Sequence, residues 1–154
     1  MRHQRIAPRF DRLRPSSAGA SRIKRRNKAR GTEAELALRR QLWTLGLRYR
    51  LHARDLPGKP DIVFRRKRVA VFVDGDFWHG RHWEERRSKL ASGHNAGYWL
   101  AKIGYNRDRD RHNTTLLETA GWRVIRLWET DVKRAPQEAA AIVHAALSEH
   151  SDQA

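Results

Sequence analysis

The periodicities along the chain predict a layered α/β fold: one mixed sheet assembled in the order helix, three strands, helix, strand, helix. Three observations predict it. A capping signal runs into leucines at helical spacing, two runs of β-branched residues flank a basic turn, and a later alternating strand lies between two helical stretches. The 154 residues suffice for one core of two or three layers, so residues 31–150 are expected to form a single domain behind a basic, flexible arm at 1–30.

That arm holds 11 Lys/Arg against the single acid Asp11, with Pro15-Ser16-Ser17-Ala18-Gly19 as a break. Within it, Arg22, Lys24, Arg25, Arg26 and Lys28 are dense enough to follow a phosphate backbone, although a solvated tail has the same composition. Thr32-Glu33-Ala34-Glu35 is a capping box in which the threonine hydroxyl takes the N3 amide and the glutamate reaches back to the cap amide. The helix it opens reaches Leu45, with Leu38, Leu42 and Leu45 on one face and Gly46 as its stop. Leu47–Leu51 alternates apolar and basic residues as a half-buried strand. Asp61-Ile62-Val63-Phe64 and Val69–Val73 then read as a hairpin buried on both faces, turning at Arg65-Arg66-Lys67-Arg68.

Residues 81–95 are polar and without period, which predicts a loop. A long helix is expected from Asn95 to Ala120, with Trp99, Ile103, Leu116 and Leu117 facing the core and Gly104 a weak point. Trp122–Trp128 alternates as a strand, and Gln137–Glu149 closes the chain as an alanine-rich helix.

A formal net charge of +16 exceeds what solubility requires and implies a polyanionic partner, with nucleic acid first. A membrane is disfavoured, because no apolar run approaches the length of a span. The chain has no cysteine, which excludes disulfides, thiolate zinc sites and thiol nucleophiles and is compatible with a reducing cytosol.

Against this positive background, carboxylates gather at one place. Asp61 opens one strand of the hairpin and Asp74 closes the other, so both should reach one sheet edge beside the Val73 carbonyl. Hard divalent cations take such oxygens, and acids that would repel phosphate become useful to it once a metal intervenes. His79 lies five residues beyond Asp74, in reach of a general acid–base role, with His82 as a second candidate. The same histidines could instead belong to an exposed loop or to a partial zinc site completed by Asp76 or His94. Phe77 and Trp78 could stack on bases or simply pack into the core.

Taken together, the order of elements matches the αβββαβ core of the PD-(D/E)xK nucleases, a three-layer, restriction-endonuclease-like fold with a C-terminal helix. Within it the chain resembles the very-short-patch repair (Vsr-type) DNA mismatch endonucleases. The blocks carrying the resemblance are Thr32-x-x-Glu35, Leu56-Pro57-Gly58-Lys59-Pro60-Asp61, Phe77-Trp78-His79, Tyr98-Trp99-x-x-Lys102-Ile103-x-x-Asn106, Arg109-Asp110-Arg111 and Gly121-Trp122-Arg123-Val124.

The resemblance implies a Mg2+-dependent endodeoxyribonuclease that nicks double-stranded DNA beside a thymine–guanine mismatch and acts as a monomer in a bacterial cytoplasm, at the nucleoid. It implies Asp61 as principal metal ligand, the Val73 main-chain carbonyl beside it, and His79 as the residue that activates water. Asp74 falls where some members have a second histidine, and Glu35 matches an acidic residue near the centre, so its capping and catalytic-support roles can coexist. Phe77, Trp78 and Trp99 resemble the intercalating aromatics, and Ser21–Arg30 the N-terminal arm. Asp76, Arg81, Trp83 and Thr130 stand where better-known members bind a structural zinc, so no structural zinc is expected, and packing or salt bridges must hold the loop. That departure favours an alternative, a restriction- or defence-type nuclease without mismatch specificity, and charge and aromatics alone leave a further one, a non-catalytic nucleic-acid-binding module, against which Asp61 and His79 argue.

Overall fold

The computed structural model describes residues 30–149 together with Ala7 and Pro8. Helix α1 (Glu33–Thr44) is followed by strands β1 (Arg50–Leu51), β2 (Ile62–Phe64) and β3 (Val69–Asp74). Helices α2 (Trp83–Ala91) and α3 (Ala96–Thr119), strand β4 (Arg123–Trp128) and helices α4 (Glu129–Arg134) and α5 (Pro136–Glu149) complete the order. The strands lie in the order β1-β2-β3-β4. β1–β2 and β2–β3 are antiparallel and β3–β4 parallel, which gives the expected mixed α/β sheet.

The alternation of side chains across a strand explains the two helical layers. Ile62, Phe64, Val69 and Val71 join Leu38 and Leu42 of α1, Val132 of α4 and Val143 and Leu147 of α5 in one core. Val63, Ala70 and Phe72 face the other way, onto Leu117 of α3. The hairpin is therefore buried on both faces.

Several expectations need correction. Residues 81–95 are not all loop, because α2 occupies most of them; it buries no residue, so no apolar period marks it. It has instead Glu84 and Glu85 in its first turn and Lys89 in its last, the arrangement that complements the helix dipole. The strand expected over Leu47–Leu51 pairs only at Arg50 and Leu51, opposite Val63 and Ile62, since its neighbour β2 is three residues long. Leu47 and Tyr49 still pack against the core. In α3, Ile103 and Leu117 are buried as expected, whereas Leu116 is exposed, one residue off the buried stripe. The short helix α4 carries a single buried residue, Val132, too little for a periodic signal.

The capping box forms by half. The Thr32 hydroxyl accepts from the Glu35 amide at 3.2 Å, but the Glu35 carboxylate accepts from the Gly31 amide at 2.9 Å rather than from that of Thr32. Gly31 has φ +63°, a left-handed turn open to glycine. The Glu35 carboxylate is thereby tied to the turn before its helix, while the cap itself is the Thr32 hydroxyl.

Candidate active site

The functional side chains meet around a cleft of about 960 Å³, bordered by Glu35, His52, Asp61, Val73, Asp74 and His79. Asp61 is placed by the hairpin register. Its amide donates to the Val71 carbonyl at 3.0 Å, and its carboxylate accepts from the Val73 amide at 2.8 Å. In an extended strand the N–H and C=O of one residue point to the same edge. The Val73 carbonyl accordingly faces the edge where Asp61 sits, as the sequence led us to expect.

Glu35, His52 and Asp61 each offer a donor atom within 4.8 Å of the other two. The His52 amide donates to the Asp61 carbonyl at 3.0 Å, so the turn after β1 carries the imidazole to the start of β2. Burial pushes the Asp61 carboxyl up to about 6, opposed by the Val73 amide and reinforced by the charges of Glu35 and Asp74. Crowded, desolvated carboxylates beside a carbonyl and an imidazole have the donor chemistry of a divalent-cation site, whose charge would relieve their repulsion.

Asp74 borders the same cleft but is not one of the three clustered donors. Both its oxygens accept from Arg126 Nη1, at 3.0 and 2.9 Å, and it is buried. It lies 3.6 Å from His79 Nδ1. Arg126 also donates to the Thr114 hydroxyl and to the Asp110 carbonyl and lies over the Phe72 ring at 4.1 Å. Asp74 thus adjoins the histidine and also acts on Asp61, whose carboxyl its charge helps to raise.

His79 Nδ1 lies 2.5 Å from Asp110 Oδ2. An ionised carboxylate only accepts, so Nδ1 carries the proton and Nε2 holds the lone pair. Burial lowers the imidazole pKa, but the Asp110 hydrogen bond and the charges of Asp74 and Asp110 outweigh it and leave His79 above its ordinary range. Burial likewise acts to raise the Asp110 carboxyl, yet His79 and Arg126 hold it below the usual range. An oriented histidine backed by a carboxylate is the arrangement of a general base.

A family model described as DNA mismatch endonuclease Vsr matches residues 13–85. The chain is 45% identical over 123 residues to the type II nicking enzyme V.NmeDIP of Neisseria meningitidis serogroup C, covering 80% of each chain. It is 39% identical to the type II nicking enzyme V.HpaIIP of Haemophilus parainfluenzae, across 82% of this chain and 89% of that one. To the DNA mismatch endonuclease Vsr of Escherichia coli K12 it is 37% identical, across 65% of this chain and 62% of that one. The chain belongs to the Vsr family of DNA endonucleases.

Its membership makes the chain a hydrolase acting on DNA, and no helix among the described residues is long and apolar enough to cross a membrane. In this family member the aromatics named from sequence come together. Phe77 and Trp78 lie edge to face at 5.4 Å, and Trp99 reaches them from α3, 5.3 Å from Phe77 and 5.8 Å from Trp78. Asn106 donates to the Trp78 carbonyl at 2.8 Å, which ties the 75–82 turn to α3. Arg22, Lys24, Arg25, Arg26 and Lys28 lie outside the described residues.

Three of the four positions compared with zinc ligands meet without cysteine. Asp76 accepts from the Thr130 amide at 3.2 Å and from Arg81 at 3.2 Å, and Arg81 continues to Asp131 at 3.1 Å. The fourth, Trp83, opens α2 with Arg107 over its ring at 5.5 Å. The ion pairs fasten the turn bearing Trp78 and His79 to α4. Arg81→Ala is expected to leave Asp76 and Asp131 without their common cation and to let that turn shift. Since small misplacements of a catalytic group are costly, kcat should fall by about tenfold to a hundredfold, with partial recovery in Arg81→Lys. Single-turnover cleavage with substrate affinity measured separately checks this, and an unchanged kcat would show that the turn holds without the clasp.

The sequence assigned no role to Asp110, His52 or Arg126, although Asp110 stands in one of the blocks that carry the resemblance. Asp110 had a signal, because Ile103, Asn106, Asp110 and Leu117 recur at helical spacing and place an acid on the buried stripe. Arg126 had another, a charge flanked by Ile125 and Leu127 inside a parallel strand. His52 follows a two-residue strand and had none.

Proposed function

We propose that the protein nicks double-stranded DNA in the presence of Mg2+ beside a thymine–guanine mismatch. The observation that supports the chemistry best is the convergence in one cleft of the Asp61 carboxylate and Val73 carbonyl edge with the Asp110-backed His79. Asp61, Val73 and Glu35 would hold the cation, which supplies charge neutralisation at the phosphate and a more acidic water. His79 Nε2 takes the proton from the attacking water as the new P–O bond forms and one ester P–O bond breaks. Arg126 and Asp74 keep His79 and Asp110 in register. The residues Arg22 to Lys28 would lie along phosphates, consistent with a charge of +16, while Phe77, Trp78 and Trp99 form the surface on which unpaired bases can stack.

A second reading is a strand-nicking enzyme without mismatch selectivity. The altered positions Asp76, Arg81, Trp83 and Thr130, which adjoin the aromatics, favour it. Single-turnover cleavage of two duplexes differing only in one thymine–guanine pair, with and without Mg2+, separates the readings. Faster nicking of the mismatched duplex supports the first, and equal rates support the second.

A further inference from the structure

We propose that His52 is a metal ligand and that the Glu35–His52–Asp61 triad, while accepting Mg2+, binds divalent transition-metal cations more tightly than an all-oxygen site would. The inference rests on the metal-dependent reading of the cleft and adds a nitrogen donor to it. Three elements bring the triad together: α1 supplies Glu35, the turn after β1 supplies His52, and the start of β2 supplies Asp61, with donor atoms within 4.8 Å of one another. The His52 backbone is bonded to that of Asp61, and its φ of +49° is an unusual conformation for a residue with a side chain.

Arg39 provides the independent indication. Its Nη2 lies 3.2 Å from His52 Nε2 and 3.7 Å from Glu35 Oε2. A guanidinium only donates, so His52 presents an unprotonated Nε2, the form that ligates metals, to a positive group. Two of the three donors therefore already share a cation, and a divalent ion would take its place. Mg2+ favours oxygen donors and keeps its waters, whereas an imidazole favours transition metals. One nitrogen beside two carboxylates should move the preference toward ions such as Mn2+.

Calorimetric titration with MnCl2 and with MgCl2, on the full chain without DNA, tests the proposal in the wild type, His52→Gln, Asp61→Asn and Arg39→Gln. Circular dichroism of each variant establishes that it is folded. The wild type should bind Mn2+ about tenfold or more tightly than Mg2+. His52→Gln should weaken Mn2+ by about tenfold to a hundredfold while changing Mg2+ by less than about threefold, and pulsed EPR should lose the imidazole nitrogen coupling to bound Mn2+. Arg39→Gln removes the competing cation and should tighten Mn2+, a readout that does not depend on how His52→Gln folds. Unchanged Mn2+ binding and retained nitrogen coupling in His52→Gln would overturn the role of His52, as would Mn2+ binding in Arg39→Gln no tighter than in the wild type. If Asp61→Asn abolishes binding while His52→Gln does not, the metal centre stands without this ligand. If neither matters, both the centre and the ligand assignment fail.

Discussion

Asp61→Asn is expected to stabilise the metal-free protein at pH 8 while abolishing its metal-dependent cleavage. Burial holds the Asp61 carboxyl at about 6, with Glu35 and Asp74 adding to the shift against the Val73 amide. The unfolded chain ionises near 3.9, so the folded state binds this proton more tightly. Stability therefore declines as pH rises from roughly 4 to 6 and stays reduced above that window. At about 1.36 kcal/mol per pKa unit, the penalty is on the order of 2–3 kcal/mol. Asparagine keeps an acceptor for the Val73 amide and removes the charge, so the gain should appear at pH 8 and vanish near pH 4. Thermal unfolding in chelator at the two pH values measures it. The same substitution removes the principal carboxylate donor, and cleavage should fall by about a thousandfold or more, the scale of several kcal/mol of transition-state stabilisation. Normal nicking by the variant would sink the assignment of Asp61, whereas an unaltered melting temperature at pH 8 would refute only the electrostatic argument.

The opposing effects of that one residue show why some of the site could be read from sequence and some could not. Asp61, Val73 and His79 lie on or just beyond a hairpin whose pairing follows from local pattern, so their shared cleft could be anticipated from the chain alone. Asp74 was expected beside Asp61 on the same reasoning. What the local pattern does not announce is that Asp74 also meets Arg126, on a parallel strand 52 residues away. Long-range partners decide what a carboxylate does: one that meets a guanidinium is held by it, while one crowded among other carboxylates keeps its need for a cation. The same limit hid α2, which buries nothing, and the Arg81 clasp, whose halves lie 50 residues apart. Elements with a buried face were legible because burial writes a period into the sequence; charge networks between distant elements write none.

Asp110→Asn should lower kcat by about a hundredfold to ten-thousandfold, the range over which general bases and their orienting carboxylates act. It should also shift the acidic limb of the pH–rate profile. The limb arises because His79 must be neutral at Nε2 to take a proton from water. Although burial lowers its pKa, Asp110 and Asp74 outweigh it and raise it overall, so the wild-type limb should lie above the ordinary imidazole range. Removing the Asp110 charge leaves burial opposed by less, and the limb should move to lower pH even as the plateau drops. Asparagine can still accept from Nδ1 through its amide oxygen, so the ring can stay in place while the imidazolium formed during the reaction loses its stabilising charge. A merely structural role for Asp110 would lower the rate without moving the limb. His79→Ala separates the two contributions, because it should fall to the same low plateau or below and show no limb in this range. If His79→Ala instead keeps the wild-type limb at a reduced height, the ionisation seen in the profile belongs to another group, and His79 is not the base.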